Sequence, residues 1–273
     1  MADLHLQEGT VPFQIQHQHI DIPCHTYYKI IGDLSSNSPR LVILHGGPGT
    51  GHEYLLPFGC LWQQFGIPVV FYDQIGCAAS THLPQTAGDE SFWQESLFQA
   101  ELNNLLDSLR LRDGPGYHIL GHSWGSRIAA SFASTQPPGL QRLVLASGIA
   151  SSRSWVEGIH IIRKQLTSAA QLAIDEEEQK GDFDSARFRA GMDEFFRNYF
   201  CRANPFPPKE LLPAFKNMSN DKTVRATMLV YSVTIVVFFC PTLYLIIVIQ
   251  QLNLTTIQFE LPHWGLRYYS RFC

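Results

Sequence analysis

Two short glycine-containing patterns carry the clearest chemistry in this chain. The first is Gly121-His122-Ser123-Trp124-Gly125. A serine with glycines two positions to either side suits a sharp, strained turn from a strand into a helix, which exposes the hydroxyl above the helix N-terminus. The chemistry is nucleophilic attack on an acyl group, with Ser123 as nucleophile. Such attack creates an oxyanion, which needs preorganised N–H donors. The second pattern, His45-Gly46-Gly47-Pro48-Gly49, can provide one. Gly46 and Gly47 lack side chains that would keep a substrate away, and the amide of Trp124 supplies the other donor. Read separately, each pattern has a plainer meaning: a strand-to-helix loop with an incidental serine, or a simple Gly/Pro turn. Read together they make an acyl-transfer site.

Those residues need elements to hold them. Leu41 to Leu44, Pro68 to Tyr72 and Tyr117 to Leu120 are short, largely apolar runs, as expected of strands buried on both faces of a parallel sheet. The first ends at the His45 pattern and the third at the Ser123 pattern. Leu140 to Leu145 reads as a further strand. Glu53 to Phe65, Ser91 to Leu111 and Arg127 to Ser134 read as helices, the second with Phe92, Leu97, Leu102, Leu105, Leu106 and Leu109 on one face. Gly9 to Gln16 and Cys24 to Ile31 alternate weakly and read as a leading hairpin or meander. This alternation of strands and helices predicts an α/β sheet covered on both sides. From Ser154 to about Thr223 the pattern turns helical and charged, as an inserted lid would be.

Three motifs together, His45-Gly46-Gly47-Pro48-Gly49, Asp73-Gln74-Ile75-Gly76-Cys77 and Gly121-His122-Ser123-Trp124-Gly125, resemble those of the proline iminopeptidases and related fungal amino-acid amidases, which are α/β-hydrolase serine enzymes. The segment Phe195 to Arg202, and then Asp221 to Met228, also resembles this family, so the likeness runs from about Pro12 to Met228. The family usually continues its second motif Gly-Cys-Gly-x-Ser; here Cys77-Ala78-Ala79-Ser80 puts an alanine in place of one glycine. The resemblance implies an α/β-hydrolase fold and release of an N-terminal residue, often proline, from short peptides or amino-acid amides through an acyl-serine intermediate. Ester hydrolysis on the same fold is the alternative chemistry. The family recognises the substrate amine with glutamates placed beyond the point where the likeness stops. Asp193 and Glu194 are available acids in the helical segment, and a solvated helix face explains them equally well.

A serine hydroxyl becomes a good nucleophile only when a histidine takes its proton and a carboxylate orients that histidine. In α/β-hydrolases both follow the serine in chain order. After Met228 the sequence has no aspartate; Glu260 is the only carboxylate and His263 the only histidine. His263 is therefore the candidate base, with an incidental tail residue as the other reading. His45 and His122 are expected to shape or support their loops. Loss of a triad histidine or serine costs about 10^6 in kcat, so the activity of this form is expected to be impaired, down to a catalytically silent remnant.

Leu229 to Ile249 is uncharged and rich in Leu, Ile, Val and Phe. It is long enough to cross a bilayer, which takes about 20 apolar residues. It is also a β-branched run that can pair with the strand at Leu140 to Leu145, left as a sheet edge if the family's later strands are missing. The abrupt end of the likeness suggests an intron read through or a shifted frame. The expected organisation is a core over 1–150, a helical lid over 151–228 and an atypical apolar segment over 229–273.

A formal charge of -4 and a pI near 6.2 argue against nucleic acid as a partner. The six cysteines are scattered without CxxC pairs and read as free thiols of a reducing, cytoplasmic setting, with membrane association through 229–249 as the alternative. The N-terminus does not have the pattern of a secretory signal. No metal-ligand spacing, phosphate loop or nucleotide fingerprint is present in the sequence, and acyl transfer requires no cofactor.

Overall fold

The computed structural model describes residues 5–18, 20–148, 152–229 and 245–248. Strands β1 (Leu6–Pro12) and β2 (His25–Ile31) form an antiparallel pair, with Leu6 opposite Ile31 and Pro12 opposite His25. Strands β3 (Arg40–Leu44), β4 (Val69–Tyr72), β5 (Tyr117–His122) and β6 (Leu140–Ala146) form the parallel centre of the same sheet. The spatial order is β1-β2-β4-β3-β5-β6, with β7 (Leu245–Val248) parallel to β6 at the far edge.

Alternation along β3 explains why a wholly apolar run is needed there. Leu41 and Ile43 pack on one face with Val69, Phe71 and Leu55; Val42 and Leu44 pack on the other with Leu102, Ile128 and Phe132. Both faces are covered, so neither set of side chains can be polar. The first cover is a 3-10 stretch over Glu53–Gly59 running into helix α1 (Cys60–Phe65). This replaces the single helix expected over Glu53 to Phe65. Pro57 lies inside it and has no N–H to give the ladder. The second cover is α2 (Glu95–Ser108) and α3 (Trp124–Ser134). The α2 helix is shorter than the Ser91 to Leu111 pattern. At its start, Asp89 accepts from the amides of Ser91 and Phe92 and holds a turn instead.

Among the described residues, five α-helices follow β6: α4 (Ser152–Arg163), α5 (Ser168–Lys180), α6 (Ala186–Phe195), α7 (Leu212–Asn220) and α8 (Thr223–Leu229). Leu166, Ala170 and Ile174 pack with Phe188, Met192, Phe195 and Tyr199 into a small core of their own. Glu194 closes that pair by accepting from the Thr167 amide and hydroxyl, both at 2.7 Å, and Asp193 pairs with Arg197 one turn on. Helices α7 and α8 lie against the sheet domain: Val224 joins its main core and Thr227 accepts from the Gly88 amide at 3.0 Å.

No helix among the described residues is long and apolar enough to cross a membrane. Most of the 229–249 run, including Pro241, lies outside the described residues. Its described part, Leu245–Val248, is strand, and it pairs with Leu143 to Ala146. The described cysteines Cys24, Cys60, Cys77 and Cys201 are free.

Candidate active site

The chain runs from β3 out to β4, then crosses back over β3 to β5. The loops after β3 and β5 therefore diverge at the carboxyl end of the sheet, where open α/β sheets bind ligands. The register makes the meeting specific. Leu44 lies opposite Gly121, so the next residues, His45-Gly46 and His122-Ser123, emerge side by side.

Ser123 caps the start of α3 with φ 50 and ψ -116, a conformation that costs a residue with a Cβ roughly 1–3 kcal/mol. The flanking glycines make that turn feasible. A Cβ on Gly121 would lie 2.4 Å from the Gly125 carbonyl oxygen, and one on Gly125 would lie 2.3 Å from that of Leu44. The Ser123 amide is held by the Ala146 carbonyl at 2.9 Å, and Ser126 returns a hydrogen bond to the Ser123 carbonyl. Trp124 is the first residue of α3, so its amide has no acceptor within the helix. Among the described residues the Ser123 hydroxyl has no hydrogen-bond partner.

The loop after β3 is pinned from three sides. The Gly46 carbonyl accepts from the Thr50 hydroxyl at 2.7 Å and meets His45 Nδ1 at 2.8 Å. The Gln74 amide donates to His45 Nε2 at 3.0 Å, which leaves the ring proton on Nδ1, where it points at Gly46. Burial holds the His45 imidazole below its ordinary pKa, so it is neutral. A trans peptide sets C=O and N–H antiparallel, so fixing the Gly46 carbonyl also aims the Gly47 amide the opposite way. Gly47 has φ 114, and a Cβ there would lie 2.6 Å from the Gly49 nitrogen. The Gly46 amide itself is taken: it donates to Tyr54 Oη at 2.7 Å. Of the two loop amides expected as oxyanion donors, that of Gly46 therefore already has an acceptor within the protein.

The Asp73-Gln74-Ile75 segment ties this loop to the rest of the fold. The Gln74 side chain donates to the His45 carbonyl at 2.9 Å. The Ile75 amide donates to Glu101 Oε2 at 3.0 Å, and Thr26 donates to Glu101 Oε1 at 2.6 Å. Glu101 is fully buried on the apolar face of α2, and desolvation pushes its pKa up to about 8. Asp73 stays ionised below the usual carboxylate range: burial works against it, but hydrogen bonds from His52 and the Ala79 amide prevail. His52, Glu53 and Asp73 have ligand atoms within 4.8 Å of one another. The Asp73 oxygens take the His52 amide, His52 Nδ1 and the Ala79 amide, and Glu53 accepts from Asn217.

His122 is engaged by a neighbouring ring. Its Nδ1 sits 2.8 Å from Tyr54 Oη, and burial lowers its pKa to about 4. His263 and Glu260 lie outside the described residues. Over the loops stand α7 and α8. Asn217 donates to the Thr50 carbonyl at 2.9 Å, Met218 approaches the Gly49 position, and Asp221 pairs with His82. The sequence reading did not single out Tyr54, Thr50 or Glu101. For Glu101 a signal existed: a carboxylate between Phe98 and Leu102 on an otherwise apolar stripe.

The profile of the alpha/beta hydrolase fold family matches residues 39–232. A proline iminopeptidase of Lactiplantibacillus plantarum is 38% identical over 175 residues, 64% of this chain and 58% of that protein. One of Levilactobacillus brevis is 35% identical over 191 residues, 70% of this chain and 59% of that protein. The chain thus spans under two thirds of the length of these curated relatives. Among solved structures, that of VinJ is similar with a TM-score of 0.74 and 37% identity, over 81% of this chain and 70% of the other. That of proline iminopeptidase from Mycobacterium smegmatis is similar with a TM-score of 0.70 and 32% identity, over the same shares. The chain belongs to the α/β-hydrolase fold family of hydrolases and, within it, to the proline iminopeptidase-like proteins.

Proposed function

We propose that this protein is a serine hydrolase that releases an N-terminal residue, proline above all, from short peptides, or hydrolyses amino-acid amides. The observation that carries this reading is Ser123 at a positive-φ turn, directly beside Gly46. In the proposed reaction the Ser123 oxygen attacks the scissile carbonyl and its proton passes to a base. The carbonyl oxygen becomes an oxyanion that accepts from the amides of Gly47 and Trp124, with the α3 dipole favouring the charge. The base then protonates the leaving amine, and water hydrolyses the acyl-serine.

His263 is the base that the sequence offers after Met228. Among the described residues no histidine is hydrogen-bonded to the Ser123 hydroxyl; both ring nitrogens of His45 and of His82 have other partners, and His122 Nδ1 is held by Tyr54. For that reason the reaction is proposed to be slow in this chain. The 152–229 helices act as a lid, a role supported by the contacts of Asn217, Met218 and Asp221 with the site loops.

The test is hydrolysis of proline p-nitroanilide, proline amide and a proline ester by wild type and Ser123→Ala. Turnover that disappears in the variant, with the ester fastest because its leaving group is better, supports the reading. Equal turnover by both proteins, or none on any of the three, contradicts it.

A further inference from the structure

We propose that Tyr54 is a positioning residue that locks the loop after β3 to the end of β5, its hydroxyl accepting the Gly46 amide while donating to His122 Nδ1. This rests on the serine-hydrolase reading above and names the device that keeps its oxyanion loop in place.

Tyr54 lies in the 3-10 stretch that follows the glycine loop, and His122 is the residue immediately before Ser123. One oxygen therefore touches both halves of the site, at 2.7 Å from the Gly46 nitrogen and 2.8 Å from His122 Nδ1. The rings meet edge-on, with centroids 5.4 Å apart. A phenol has one proton and two lone pairs. The Gly46 N–H occupies a lone pair, so the proton is free for His122 Nδ1, which places the imidazole proton on Nε2. Neither group titrates near neutrality. Burial raises the Tyr54 phenol well above its ordinary pKa and lowers His122 to about 4. The lock is thus uncharged and persists across the neutral range.

Its consequence is catalytic. The Gly46 carbonyl is held by Thr50 and His45, and Tyr54 holds the amide on the other side of the same residue. With both peptide planes around Gly46 fixed, the Gly47 amide cannot swing away from the oxygen at Ser123. Rigid donors of this kind stabilise the transition state more than the ground state.

Tyr54→Phe deletes the hydroxyl and keeps the ring. Two readouts separate the lock from the reaction. Imidazole 15N NMR of the wild type should show His122 protonated on Nε2 with a hydrogen-bonded Nδ1, and in Tyr54→Phe the Nδ1 resonance should shift downfield as that hydrogen bond is lost. The rate of fluorophosphonate labelling at Ser123 should fall by about tenfold or more in the variant, up to the roughly 10^2 to 10^3 that follows outright loss of an oxyanion donor. On proline amide, kcat should fall with KM nearly unchanged. His122→Asn, which keeps an acceptor at the δ position, should lose less than His122→Ala. A wild-type His122 protonated on Nδ1, or Tyr54→Phe labelled at the wild-type rate, would overturn the proposal. Failure of the wild type to label at all would instead sink the serine-hydrolase reading, and the tautomer would still decide for or against the lock.

Discussion

Gly46 stands against Ser123: a Cβ added to Gly46 would lie 3.1 Å from the Ser123 Cβ, and also 3.0 Å from Tyr54 Oη and 3.2 Å from His122 Nδ1. Three neighbours at that distance leave little room for a methyl group. Gly46→Ala should therefore fold, with a loss of about 1–2 kcal/mol from overpacking, while labelling of Ser123 by a fluorophosphonate slows by at least about tenfold as the loop is pushed from the serine. Denaturant titration beside a labelling time course checks both halves.

The strain at Ser123 makes its own prediction. Its φ of 50 disfavours any residue with a Cβ. Ser123→Gly should be more stable than Ser123→Ala by about 1 kcal/mol, although both lack the hydroxyl. Thermal midpoints of the two variants, measured side by side, decide this. Equal midpoints would mean that the turn is not strained.

Ala78, in the loop after β4, has φ 48. An L-residue in this left-handed region pays about 1 kcal/mol relative to glycine. Ala78→Gly should raise stability by about 0.5–1 kcal/mol, against the usual trend for substitutions to glycine. A lower midpoint in urea would contradict the strain.

Glu101 gives stability a pH dependence of unusual sign for a carboxylate. Its folded pKa is raised to about 8 by burial, above the ordinary carboxylate value of 4.5. Between those values the folded protein keeps a proton that the unfolded chain has released, so this group's contribution is present at low pH and is lost as pH rises toward 8. Glu101→Gln cannot ionise, and its amide can donate to Thr26 Oγ1 while its oxygen accepts from Ile75. Relative to wild type, the variant should gain on the order of 4 kcal/mol between pH 5 and pH 8. Urea titrations at the two pH values measure this, and a constant difference would show that Glu101 is ionised in the fold.

The strands were legible because burial on both faces demands runs such as Leu41 to Leu44 and Pro68 to Tyr72, which little else in a soluble chain produces. The elbow was legible because its glycines are fixed by backbone contacts at Gly125 and Leu44 within or next to the motifs themselves. What escaped depends on partners distant in sequence. Glu101 is explained by Thr26 and Ile75, and Tyr54 by Gly46 and His122; neither could be paired by periodicity. The break at Pro57 was visible in principle, but the apolar spacing around it outweighed it. After Met228 the apolar run is compatible with a membrane span or a strand, since β-branched residues serve both. Spacing alone does not choose between them, and the pairing of Leu245–Val248 with β6 concerns only its last residues.

Ser123 is proposed as the reactive hydroxyl of the site, facing the amides of Gly47 and Trp124. Treating the folded chain with a fluorophosphonate and mapping the adduct by peptide mass spectrometry tests it most directly. One phosphonylated residue is expected, Ser123, with no adduct after heat denaturation or in Ser123→Ala. A folded protein that stays unmodified at Ser123, or that is modified equally at other serines, would contradict it.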